Sequence, residues 1–173
     1  MSFRKINNKA EELADSITYS LAIEDISTDY LVGWLRDAWG YSIELRYVKL
    51  QQGFSGMVYP DYRDNNKFIV HINNTESVDR QRYTLCHEVA HILRSTQLKF
   101  EYSTDREVYN NKELERFCDR FAAAFLMPKE KFFKLWASVL VDNEILKIAS
   151  LARRLKVSPE ACRNRAIDFN LIN

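Results

Sequence analysis

Hydrophobic period changes twice along this chain, and that bounds the fold. Between residues 43 and 72 apolar residues alternate with polar ones or form short β-branched runs; on either side they recur at helical spacing. Ile43, Leu45 and Tyr47 predict one strand, Met57 to Tyr59 a short second, and Phe68-Ile69-Val70-His71-Ile72 a third, antiparallel to its neighbour. Upstream, Ala10, Leu13, Ala14, Ile17 and Leu21 mark a helix over 7–22. Ser27, Thr28 and Asp29 offer N-caps for a second helix ending at Trp39, with Gly40 as its stop. After Asn73-Asn74 the helical period holds to the end, with helices predicted over 77–94, 112–126, 129–140 and two within 142–171, and a polar loop at 96–110. Only 4 glycines and 3 prolines interrupt the chain, too few turn formers for a sandwich or barrel. The expected class is α+β: a small antiparallel three-stranded sheet with surrounding helices, organised as residues 1–140 with a helical appendage over 141–173.

Composition narrows the function. With 173 residues, 46% of them apolar, the chain can bury a core and is not disordered. A net charge of +1 lacks the basic excess of a dedicated polyanion or membrane-surface binder. Cys86, Cys118 and Cys162 are far apart, so no disulfide framework or zinc ribbon is readable and a reducing compartment is expected. Met1-Ser2-Phe3-Arg4-Lys5 leads into polar sequence without an apolar signal core, and the longest apolar stretch, Phe121 to Met127, is far short of a membrane span. These features predict a cytoplasmic protein that makes no use of a membrane.

Chemistry concentrates in His87-Glu88-Val89-Ala90-His91, which holds two of the chain's 3 histidines. Histidines four apart on a helix share one face and can bind one metal ion. Glu88 lies about 100° round the helix from His87. It is poorly placed as a third ligand but well placed to take a proton from a metal-bound water, whose pKa the ion lowers. A catalytic zinc needs three protein ligands and an open position. Glu115, 24 residues after His91, offers the third donor; Asp119, one turn on, can accept a hydrogen bond from a ligand histidine and orient its ring. Glu101, Glu107, Glu113 and Asp119 compete with Glu115 as ligand.

Two stretches resemble a known family. Arg82-Tyr83-Thr84-Leu85-Cys86-His87-Glu88-Val89-Ala90-His91-Ile92-Leu93 looks like the RFTLAHELGHLLL signature of the ImmA/IrrE metallopeptidases, and Glu115 to Pro128 resembles their ExxANxFAAxLLMP. Phe54-Ser55-Gly56, the strand Phe68 to Asn73, and Val157-Ser158-Pro159-Glu160-Ala161 with Arg163 and Arg165 are similar to further family elements, so the resemblance runs from about residue 10 to 172. It implies a zincin-like HExxH helix with a second ligand helix, Zn2+ on His87, His91 and Glu115 (one ion per chain, with another divalent cation as the alternative), Glu88 as catalytic base, and cleavage of a helix-turn-helix transcriptional repressor encoded nearby. Ala90 replaces the usual Gly, and Cys118-Asp119 replaces Ala-Asn. Neither change removes a catalytic element.

Other residues carry weaker expectations. The strand Phe68, Val70 and Ile72, if it is an edge, can pair with an extended substrate; His71 within it can serve as a further ligand or steady the oxyanion. Tyr59, Tyr83, Tyr102 and Tyr109 are candidate phenols for that oxyanion, and nothing in the sequence chooses among them. Cys86 and Cys118 read as buried small hydrophobes, although each adjoins a motif. Residues 144–173 read as a helix-turn-helix with six basic and three acidic residues, for which packing is favoured over DNA contact. The rival functions are a non-hydrolytic regulatory module that binds a repressor or DNA, and the toxin-like half of a pair.

Overall fold

The computed structural model describes residues 3–97 and 112–173. Glu101, Tyr102, Glu107, Tyr109, most of the 96–110 loop and the Glu113 side chain lie outside the described residues.

Local chemistry sets the element ends. Helix α1 spans Phe3–Thr18 and α2 spans Thr28–Trp39. The Ser27 hydroxyl accepts from the Tyr30 N–H at 3.1 Å, and Gly40 closes α2 with φ 70°, a left-handed conformation that glycine adopts without a Cβ clash. Three strands follow: β1 Ser42–Val48, β2 Gly56–Asp61 and β3 Asp64–Asn73. Then come α3 Val78–Gln97, α4 Lys112–Leu126, α5 Lys129–Ser138, α6 Glu144–Leu155 and α7 Pro159–Asp168. Thus the chain is α+β, with a three-stranded sheet and seven α-helices among the described residues.

The sheet is mixed, not wholly antiparallel. Its order is β1-β3-β2; β3 pairs antiparallel with β2 but parallel with β1, in the register Ser42↔Lys67 to Val48↔Asn73. The cause lies in the link over 49–55. It is long enough to cross two strand spacings, each about 4.8 Å. A slot therefore opens between β1 and β2, and β3 fills it. Asn73 pins the arrangement: its N–H donates to the Ser55 carbonyl at 2.8 Å and its side-chain amide to the Phe54 carbonyl at 2.9 Å. The strand expected as a substrate-pairing edge is therefore central. Both of its ladders are occupied, and Phe68, Val70 and Ile72 point into the core. His71, on the other face, bonds through Nε2 to the Tyr59 hydroxyl at 3.0 Å.

Against the buried face of the sheet lies α3, through Leu85, Cys86, Val89, Ala90, Ile92 and Leu93. Helix α4 packs on α3 and α1 through Phe117, Cys118, Phe121, Ala122, Ala124 and Phe125. The C-terminal pair is tied into this body by arginines. Arg82 of α3 donates to the Leu155 and Lys156 carbonyls at the end of α6, where Lys156 caps the helix in the left-handed conformation. Arg165 of α7 has a fully buried side chain, paired bidentately with Glu11 of α1 at 2.5 and 2.8 Å, and its Nε donates to the Met127 carbonyl. Among the described residues no helix is long and apolar enough to cross a membrane.

A buried guanidinium without its carboxylate is costly. Glu11→Ala is expected to lower unfolding free energy by about 3 kcal/mol, the low end for such pairs because Glu11 keeps partial access to water. Replacing both partners by apolar residues (Glu11→Leu with Arg165→Met) should recover most of it. Denaturant titration measures both, and a loss below about 1 kcal/mol for Glu11→Ala would contradict the assignment.

Candidate metal centre

Packing of α4 across α3 brings two helical pairs face to face. From α3, His87 and His91 turn their Nε2 atoms toward each other at 3.1 Å, with the rings edge to face. From α4, the Glu115 carboxylate lies 3.2 Å from His87 Nε2 and 3.5 Å from His91 Nε2. Three donors thus surround one point. A tetrahedral zinc with bonds of about 2.0–2.1 Å holds its nitrogen and oxygen ligands about 3.3 Å apart, so the spacing and the donor chemistry both fit such an ion. Glu115 is half exposed on its outer side, and the histidines are mostly buried.

Asp119 fixes the tautomer. Its Oδ1 lies 3.0 Å from His87 Nδ1, and a carboxylate only accepts, so that nitrogen carries the proton and donates. The Nε2 lone pair is left free to face the centre. Burial opposes a charge on His87, but the hydrogen bond to Asp119 and that carboxylate's charge outweigh it and raise the His87 pKa. Burial likewise opposes the Asp119 charge, yet His87 and the Tyr83 hydroxyl hold its carboxyl below the usual range. His91 shifts the other way: burial, then the charges of His87 and Arg94, push it down to about 4, so it is neutral near pH 7 and available as a donor.

Glu88 occupies a tighter place. It is 6% exposed, and burial pushes its pKa up to about 7. Its neighbour is the first residue of β2. A Cβ on Gly56 would fall 2.9 Å from Glu88 Oε1 and 2.5 Å from Thr84 Cγ2. Only a glycine lets the strand come this close to the carboxylate. The sequence signal was slight: of 4 glycines, Gly56 is the one that opens a strand.

Of the four candidate phenols, Tyr83 is engaged with Asp119. Its hydroxyl donates to the Asp119 carbonyl at 3.0 Å and lies 3.3 Å from Asp119 Oδ1, so it braces the residue that braces His87. Cys118, one turn beyond Glu115, is fully buried, and its sulfur lies within 4.8 Å of the His87 and His91 donor atoms. His71 is absent from that cluster and is engaged with Tyr59.

Known proteins share this frame. One solved structure, a Mycobacterium tuberculosis transcriptional regulator, superposes with a TM-score of 0.63 over 95% of this chain and 51% of its own length. At 16% identity it speaks for the fold alone. The radiation response metalloprotease IrrE of Deinococcus deserti is 32% identical over 108 residues, 55% of this chain and 34% of that protein. This chain therefore spans about a third of the length of that relative. The family model described as the IrrE N-terminal-like domain, peptidase M78, matches residues 41–166, from the start of the sheet through most of α7 and across both helices of the centre. With most of its length so matched, the chain belongs to the IrrE N-terminal-like family of metallopeptidases.

Proposed function

We propose that this chain is a zinc-dependent endopeptidase in which His87, His91 and Glu115 hold the ion and Glu88 is the catalytic base. The observation that carries the reading is the meeting of two imidazole nitrogens and a carboxylate within 3.1–3.5 Å beside a second, buried carboxylate. Zinc held there would polarise the scissile carbonyl and acidify the attacking water. Glu88 takes that water's proton and returns it to the leaving amine, a role suited to a carboxyl whose pKa burial has brought to about 7. Asp119, steadied by Tyr83, keeps His87 aimed. Substrate register falls to β2 in this reading: it is an edge strand, antiparallel to β3, and its first residue abuts Glu88.

The proposed substrate is a helix-turn-helix repressor encoded nearby, in the cytoplasm, as the family resemblance implies. Residues 1–140 form the peptidase body in this reading, and 141–173 act as a brace. Two features support a brace over a DNA reader: Arg165, one of the six basic residues of that segment, is spent on Glu11, and Arg163 is engaged by Glu144 and the Asn173 carbonyl. A purely binding module has no use for a buried base beside a metal centre.

Incubation with the neighbouring repressor, followed by intact mass, tests the reading. Cleavage is expected, abolished by a chelator and restored by Zn2+. Glu88→Gln should keep zinc and lose activity by about 10²–10⁴-fold, as expected for removal of a general base. An effect on the repressor that survives Glu88→Gln would make binding the function. Gly56→Ala crowds Glu88 and Thr84; it should cost about 1–3 kcal/mol of stability and depress cleavage more than zinc affinity. Unchanged turnover in that variant would contradict the placement of β2 against the base.

A further inference from the structure

Helix α4 presents more to the centre than the proposed catalytic arrangement uses. Glu115 and Cys118 are three residues apart, so they share a face, and that face meets His87 and His91. Cys118 is fully buried between α3 and α4, on the inner side of the centre, while Glu115 reaches it from the exposed side. The other buried thiols differ in placement. Cys86 is absent from the donor cluster although it precedes His87 in sequence, and Cys162 belongs to α7.

We propose that His87, His91 and Cys118 form a second ligand set, sharing both imidazoles with the first, through which the centre captures soft, thiophilic divalent cations. The inference rests on the metal-binding reading of His87 and His91 and deepens it. Two imidazoles, a carboxylate and a thiol are four protein donors. With Glu115 alone as third ligand a coordination position stays open to water; with Cys118 also bound the tetrahedron is closed, as in structural sites. The identity of the ion then decides between an open and a closed centre. A zinc–sulfur bond of about 2.3 Å sets sulfur about 3.6 Å from a nitrogen ligand. The donor atoms of His87, His91 and Cys118 lie within 4.8 Å of one another, so sulfur must close in by about an ångström, and a larger, softer ion such as Cd2+ needs less of that movement. Binding replaces the S–H bond by a metal–sulfur bond, and the proton leaves to solvent.

Titration of the metal-free full-length chain with Cd2+ and, separately, Zn2+ tests this, read by near-ultraviolet absorption and by calorimetry. The wild type should develop a thiolate-to-cadmium charge-transfer band saturating at one equivalent. Cys118→Ala should abolish the band and weaken Cd2+ about tenfold or more, with Zn2+ affinity changed less than about threefold. Cys86→Ala controls for adventitious thiols and should keep the band. One-to-one Cd2+ binding without a band, or a band that persists in Cys118→Ala, overturns the proposal while leaving the metal centre intact. Failure of Zn2+ to bind the wild type at all would instead overturn the metal reading beneath it. Far-ultraviolet circular dichroism of Cys118→Ala shows that the variant is folded.

Discussion

The centre depends on how α4 crosses α3. Neither helix can assemble a metal site alone: α3 supplies two imidazoles one turn apart, and α4 supplies two carboxylates one turn apart. Helix α4 packs on α3, and the apolar residues the two helices bring to the core, Val89, Ala90 and Leu93 from one and Phe117, Phe121 and Ala122 from the other, are all buried. Such packing is close and resists small displacements. It therefore fixes the distances between polar groups that would otherwise be solvated separately and wander. The hydrogen bond between His87 and Asp119 ties the two helices beside the donors, and Tyr83 braces it from α3.

Much of this was legible before any fold was known. Caps at Ser27 and Gly40, the break before Pro128, and the return of helical spacing after Asn74 each act within a few residues, so local chemistry placed α2, α4 and the start of the helical half. Spacing of four within His87-Glu88-Val89-Ala90-His91 and within Glu115 to Asp119 told which side chains share a face. That these faces meet was an expectation, and the donor distances are what the fold adds.

What stayed hidden was non-local. Strand order depends on where a seven-residue link can reach, and β1 and β2 read as sequence neighbours although β3 separates them. That one fact moves the free edge next to the centre from β3 to β2. Tyr83 could not be told from Tyr59 as a candidate phenol, because only the approach of α4 gives it Asp119 as a partner. Gly56 matters through a contact 28 residues away in sequence at Thr84 and through Glu88, which no local pattern encodes. Arg165 entered only the basic count of the C-terminal segment and a family-like stretch in the sequence, and the fold makes it a buried strut against Glu11.

The central claim is that two histidines of one helix and a glutamate of another converge on a single ion. X-ray absorption at the zinc edge of the zinc-loaded protein tests it most directly. The account predicts one zinc per chain with two imidazole nitrogens and a carboxylate oxygen at about 2.0–2.2 Å, and loss of the carboxylate contribution in Glu115→Ala. A zinc shell with fewer than two imidazoles, or one unchanged by Glu115→Ala, would contradict it.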